Sequence, residues 1–304
     1  GNFENLVVGT AAATAHVNDT ITTNFVTLHD VVVLENQTII YTAQVDYAPI
    51  DTPLTVTLNN GVVITFDPGH LTASSDPQPA QGDDVYLDGH STQVWIASAS
   101  GGSFEKVDFT KYGTATVTVN DTIDTTTVDL SASTVLEGPS ANYVFTATLS
   151  NVSHGDTVIT TDQGAITIHD GQTTGTLTVA PVPPNNEDPY LDSTSLTATI
   201  TGATGGNFEN LVVGTAAATA HVNDTITTNF VTLHDVVVLE NQTIIYTAQV
   251  DYAPIDTPLT VTLNNGVVIT FDPGHLTASS DPQPAQGDDV YLDGHSTQVW
   301  IASA

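Results

Sequence analysis

The sequence predicts an all-β chain of tandem sandwich domains, and three observations carry that prediction. Residues Gly1 to Ala99 recur letter for letter as Gly206 to Ala304, a period of 205 residues. The string Asn-Asp-Thr-Ile stands at Asn18, Asn120 and Asn223, so the underlying unit is 102 or 103 residues in two alternating versions, type A and type B. Units of that length are whole domains rather than solenoid turns of about 20–50 residues. The apolar pattern alternates with period two, as in Tyr143-Val144-Phe145-Thr146-Ala147-Thr148-Leu149, and Thr, Val and Ile dominate it. Turn chemistry breaks the alternation at short intervals, and no amphipathic helix is found.

In the 120–222 unit seven strands are expected. They lie near Thr125–Ser131, Asn142–Ser150, Thr157–Thr161, Ala165–His169, Gly175–Ala180, Ser193–Thr201 and Leu211–His221. The breaks are Glu137-Gly138-Pro139, Gln163-Gly164, Asp170-Gly171, Pro183-Pro184-Asn185-Asn186 and Gly205-Gly206. The 18–119 unit follows the same plan, with Asn60-Gly61 as its third-to-fourth-strand hairpin, since both residues tolerate positive φ. Seven short strands in about 100 residues read as an immunoglobulin-like β-sandwich. An odd strand number puts the termini at opposite ends, which an extended rod requires.

The chain then divides into a trailing strand region of a preceding domain (1–17), a type A domain (18–119), a type B domain (120–222) and a second type A domain (223–304) without its last strand. A sandwich missing a strand has an open edge. The N-terminus of a neighbouring chain is a candidate to fill it, because residues 1–17 correspond to a final strand.

Composition narrows the function. An apolar fraction of 40% lets each unit bury a core. There is no cysteine, which removes disulfides and thiol catalysis and suits a secreted bacterial protein. No run of 18 apolar residues and no signal peptide is seen, so no direct membrane insertion is expected in this segment. The net charge is −32, from 34 acids against Lys106 and Lys111 alone. Nucleic acid and anionic membranes are excluded as partners.

Topology gathers the acids. Successive loops fall at alternating poles, so the loops after strands one, three and five meet the exit of strand seven. In the first unit that pole holds Glu35, Asp83, Asp84, Asp88 and linker Asp121. In the second it holds Glu137, Glu187, Asp188, Asp192 and linker Asp224. The third has Glu240, Asp288, Asp289 and Asp293, and Asp19 is the linker acid before the first unit. Carboxylates crowded without basic partners repel unless a cation sits among them. Ca²⁺ accepts six to eight oxygen ligands in flexible geometry and is expected over Mg²⁺, which demands a tighter octahedron.

The strings Asp-Asp-Val-Tyr, Thr-Gly-Ala-Thr-Gly-Gly-Asn-Phe-Glu-Asn-Leu-Val-Val (201–213) and Asn-Asp-Thr-Ile-Asp-Thr-Thr-Thr-Val (120–128) resemble the extender repeats of giant bacterial adhesins. These are the Lap- and Bap-type repeats-in-toxin adhesins, one of them ice-binding. The resemblance covers the whole chain. It implies Ca²⁺-stiffened immunoglobulin-like domains that project a distal binding tip from the cell surface.

Other signals carry less. The histidines, among them His29, His70, His90, His154 and His169, are scattered without zinc spacing. No nucleophile elbow and no phosphate loop is present, so neither an enzyme nor a small-molecule substrate is expected. Asn18, Asn36, Asn120, Asn151, Asn223 and Asn241 match the glycosylation sequon, as chance matches do in a Thr-rich chain. Thr125-Thr126-Thr127 reads as an outward strand face. Trp95 and Trp300 read as core, and Tyr86, Tyr190 and Tyr291 as locks on the loop between strands five and six.

The expected function is a structural extender, with neighbouring repeats of the same chain as partners. The alternative is an adhesive, carbohydrate-binding or ice-binding module whose loops or Thr-rich faces meet the ligand directly. An exposed aromatic platform would favour that alternative.

Overall fold

The computed structural model describes residues 1–304. The chain is all-β, in three units in series, and no helix is long and apolar enough to cross a membrane. The middle unit packs a four-stranded sheet against a five-stranded one. The first sheet runs in the order Thr174–Val179, Tyr143–Leu149, Thr125–Ala132, Asn210–Val213. The second runs Thr134–Leu136, Ala217–Asn223, Thr194–Gly205, Thr157–Thr161, Gly164–Ile168.

Of the seven expected strands, the last is divided between the two sheets, and the first runs on past its expected end at Ser131 into the other sheet. The first crosses at Ser133, so that Thr125–Ala132 lies in one sheet and Thr134–Leu136 in the other. The last is broken at Gly214-Thr215-Ala216, not continuous over Leu211–His221. Both halves of the first strand pair in parallel with the matching halves of the last, Thr125 with Asn210 and Thr134 with His221. Each of these strands therefore serves both sheets and closes one side of the sandwich. Asp129 fixes the second crossing, because its Oδ1 accepts the Thr215 N–H.

Period two then builds the core. Val128, Leu130, Phe145, Ala147, Ile159, Ile166 and Ile168 point inward and are buried. The first unit repeats the plan around Val26, Leu54, Val56, Ile64, Phe66 and Val117. Its Asn60-Gly61 hairpin forms as expected, with Gly61 at φ 86° and Leu58 N–H donating to Val62 O. Gly205 joins long strand to loop at φ 94°, where a Cβ would meet Asp156 O at 2.3 Å.

Two expectations fail here. Residues 1–17 form no strand, and Val8 and Val17 are exposed. The two tryptophans are not core: Trp95 is 50% exposed and Trp300 59%. Val94 and Ile96 take the inward positions of the strand His90–Gly101, so alternation sends Trp95 outward.

The third unit has a core of 6 buried residues against 16 and 14 in the others. Its sheets are Val231–Leu233, Thr247–Val250, Thr277–Ser279 and Val268–Phe271, Leu259–Leu263, Ile301–Ser303. The stretch Val236–Leu239 lines an open groove beside Gly294–Thr297.

Candidate metal centres at the domain junctions

The acidic pole of the first unit is assembled by the Asn-Asp-Thr string that follows its last strand. Asn120 O accepts the Glu35 N–H at 3.0 Å. Asp121 Oδ1 accepts the Asp88 N–H at 3.2 Å. Thr122 donates its N–H to Glu35 Oε1 at 2.8 Å, and its hydroxyl lies 2.9 Å from the same oxygen and 2.7 Å from Asp83 Oδ1. Three consecutive residues thus tie the linker to two loops, and the recurrence of the string has a structural reason.

The second junction repeats the arrangement. Asn223 O accepts the Glu137 N–H at 2.9 Å, and Asp224 Oδ1 accepts the Asp192 N–H at 3.1 Å. Thr225 donates its N–H to Glu137 Oε1 at 2.9 Å, with its hydroxyl 3.0 Å from that oxygen. Glu187 Oε1 accepts from the hydroxyls of Thr225 and Thr227.

These bonds occupy one oxygen of each central glutamate and leave the other alone. Glu35 is 0% exposed, and its Oε2 is buried without a hydrogen-bond partner; Glu137 Oε2 is in the same state. Oxygens of Glu35, Asp84 and Asp88 lie within 4.8 Å of one another, as do those of Glu35, Asp121 and Glu209. Glu137, Asp188 and Asp192 form the corresponding group at the second junction. No lysine relieves them: Lys106 pairs with Asp108 at 3.4 Å, and Lys111 sits over the Tyr112 ring.

Glu209 is the residue that sequence reasoning missed. It belongs to the second unit and reaches back into the pole of the first. Its N–H donates to Val85 O, its Oε2 accepts from Asp124 N–H, and its Oε1 is buried without a partner. The available signal was a glutamate after Gly-Gly-Asn-Phe at 209 and after Gly-Gly-Ser-Phe at 105. Glu105 makes the equivalent contact to Thr22 N–H.

The expected acids do not all converge. Asp19 is exposed and joins no group. Glu240, Asp288, Asp289 and Asp293 form no cluster either; the one bond among them runs from Asp289 N–H to Glu240 Oε2 at 3.5 Å. No Asn-Asp-Thr string like those that gather the other two poles lies beside them.

The tyrosines do more than lock a corner. In all three units the backbone N–H donates to an aspartate two residues earlier at 2.8 Å, which does fix the loop. The Tyr86 phenol, however, crosses to the next unit and donates to Val152 O at 2.8 Å. Its ring stacks on His154 at 3.7 Å and 11°, and lies 5.7 Å from Phe208. Leu87 N–H donates to Asn207 O beside it, so the loop and residues 207–209 pair like two short strands. Tyr190 repeats the crossing, donating to Ala253 O at 2.8 Å.

Family comparison assigns the chain. The LapA domain matches residues 22–122, 124–225 and 227–304. This chain belongs to the LapA domain family. Its three tandem LapA units are the Lap-type adhesin repeats that the sequence strings resemble. Among curated proteins no relative matches. Among solved structures, the I9–I11 tandem from titin aligns over 86% of this chain and 88% of its own, at 12% identity and a TM-score of 0.20. The titin domains Z1Z2, solved with telethonin, align over 69% and 100% at 16% identity and 0.27. The calcium binding domain CBD12 of CALX1.1 aligns over 64% and 98% at 10% identity and 0.27.

Crowding in the LapA junctions shifts proton affinities. Burial raises the pKa of Glu209, helped by the negative charge of Glu35. Burial also raises Asp192, helped by Asp188. The Thr225 and Thr227 hydroxyls lower Glu187. A raised carboxyl favours the fold below its unfolded pKa of about 4 and loses that contribution as pH rises through the raised value. Glu187 acts in the opposite sense, losing its contribution as pH falls through the lowered value. Ion-stripped protein should therefore lose less stability between about pH 4 and about pH 7 when Glu209 is replaced by Gln. Thermal melts at the two pH values check this, and equal losses in wild type and variant would refute it.

Proposed function

We propose that this chain is a non-enzymatic extender segment of a secreted, cell-surface bacterial adhesin, stiffened by Ca²⁺ at its domain junctions to project a binding tip in adhesion or biofilm formation. The observation that carries the reading is the buried, partnerless Glu35 Oε2, in a group with Asp84, Asp88, Asp121 and Glu209 and with no basic side chain at hand. A buried charge without a partner is costly, and a cation removes that cost. The donors are all hard oxygens, which suits Ca²⁺.

Glu35, Asp84, Asp88, Asp121 and Glu209 would hold the ion at the first junction, with Asp83 fixed alongside by Thr122. Glu137, Asp188, Asp192 and Asp224 would serve the second, with Glu187 held by Thr225 and Thr227. The bound ion supplies positive charge shared by three parts: the pole of one unit, the linker and, through Glu209, the next unit. Neutralising the carboxylates turns a repulsive junction into a cohesive one. The boundaries of the units follow from the linkers, near residues 18–119, 120–222 and 223–304.

Solution scattering of the full chain tests this. In millimolar Ca²⁺ the distribution of maximum dimension should be narrow and long, and in excess chelator broad and shorter. The Asp121→Ala chain in Ca²⁺ should resemble the chelated wild type. A wild-type distribution that is the same with and without Ca²⁺ would overturn the reading.

A further inference from the structure

We propose that the outer face of the type A five-stranded sheet, centred on Trp95, binds uncharged polysaccharide, the indole and its amide partner alone recurring at Trp300. The position does not need an indole. In the type B unit the same place in the sheet is held by Thr199: Trp95 pairs with Thr114 as Thr199 pairs with Ala217. Trp95 N–H donates to Asn59 Oδ1 at 3.0 Å, and Thr199 N–H to Asp162 Oδ1 at 2.7 Å. Asn59 N–H returns a bond to Trp95 O at 2.9 Å, and Asp162 N–H one to Thr199 O at 3.1 Å. One backbone arrangement thus carries Trp with Asn in type A and Thr with Asp in type B. The half-exposed indole leaves large apolar area in water, a cost that the type B unit avoids.

The surroundings define the ligand. Inward positions of the sheet belong to Val94, Ile96, Val117, Val56 and Ile64. The outward positions are therefore Gln93, Thr114, Thr116, Thr57 and Ser98, none of them charged. Asp30, just ahead of the edge strand Val31–Leu34, holds the Thr116 N–H with its Oδ1 at 2.7 Å. A face whose outward strand residues are hydroxylated or amidic and uncharged, with one aromatic among them and Asp30 at its rim, stands out on a chain of net charge −32. An indole face attracts the polarised C–H edge of a pyranose ring, and the flanking hydroxyls and amides exchange hydrogen bonds with sugar hydroxyls. The chain's negative field disfavours uronic and sulfated polymers. A single indole supplies too little apolar area for a protein interface. The Trp300 N–H donates to Asn264 Oδ1 at 3.0 Å, so the aromatic and its amide recur one period along the chain. Recurrence lets weak contacts to one polymer reinforce each other. The inference does not depend on ions at the junctions.

The chain has two tryptophans, both at this position, so indole emission reports on it alone. The full chain is titrated with dextran, β-1,3-glucan and mannan, and with alginate as the anionic control, and run in native gels containing each polymer. At least one uncharged polymer should shift the emission and retard the chain. The double variant Trp95→Thr, Trp300→Thr carries the residue that the type B unit already accommodates. It should lose about tenfold in apparent affinity, the equivalent of about 1.4 kcal/mol, with its melting temperature kept. Asn59→Asp with Asn264→Asp should weaken retardation in the same direction. No retardation by any uncharged polymer would overturn the proposal. So would unchanged retardation of both double variants, or retardation by alginate equal to that by the uncharged polymers.

Discussion

Replacing Glu35 by Gln should stabilise the first unit in chelator and destabilise it in Ca²⁺. Without an ion, Glu35 Oε2 is a buried negative oxygen with no donor, close to four other carboxylates. Gln keeps an oxygen for Thr122 and puts an NH₂ donor where the unpartnered oxygen stood. Relief of an unsatisfied buried group is worth about 1–3 kcal/mol, more where charge is involved. With Ca²⁺ at roughly 100 times its dissociation constant, one site contributes about 2.7 kcal/mol, most of which the variant forfeits. Each kcal/mol moves the melting temperature of a domain this size by about 4–8 °C. Calorimetry in the two conditions should therefore show shifts of opposite sign. Shifts of the same sign would mean that Glu35 plays a structural part and holds no ion.

Tyr86→Ala should uncouple the first two units without unfolding the first. Tyr86 makes three kinds of contact with the second unit: the hydrogen bond to Val152 O, the stack on His154 and the approach to Phe208. It also packs, with Val85, against the core of that unit. A hydrogen bond contributes about 1 kcal/mol and an aromatic pair about 0.5–1.5 kcal/mol beyond its buried area. Together they predict a loss of about 1.5–2.5 kcal/mol, carried by the second unit. A chemical-unfolding curve should separate into two transitions, the later one unmoved. A single transition at the wild-type midpoint would show that the linker and its acids hold the junction alone.

The sheet class, the period of the domains and most of the acidic pole are legible in the residues. Alternation and turn chemistry are local, and loops at alternating poles follow from any antiparallel sandwich. Glu35, Asp84, Asp88 and Asp121 can be brought together on paper for that reason. Glu209 cannot, because it enters from the following unit, and the Gly-Gly-Asn-Phe before it marks a recurrence without saying which pole it reaches. Tyr86 reads as a lock on its own loop for the same reason.

The repeat makes the division between sequence and tertiary structure unusually clear. Val31–Leu34 and Val236–Leu239 are the same four residues, and the first is a strand while the second is not. Val31–Leu34 lies in parallel register with the strand Thr114–Asn120, from Val31 beside Val117 to Leu34 beside Asn120. No such strand lies beside Val236–Leu239. Likewise Ala217–Asn223 is a strand inserted between Thr134–Leu136 and Thr194–Gly205, while the same residues at 12–18 form none.

Sequence by itself determined which residues can alternate, turn and carry charge. Whether a given stretch becomes a strand was decided by the partner that satisfies its backbone N–H and C=O groups and covers its apolar face. The same holds at the junctions. The carboxylates are written into each unit, but only the packing of one unit on the next places Glu209 beside Glu35 and buries an oxygen of each.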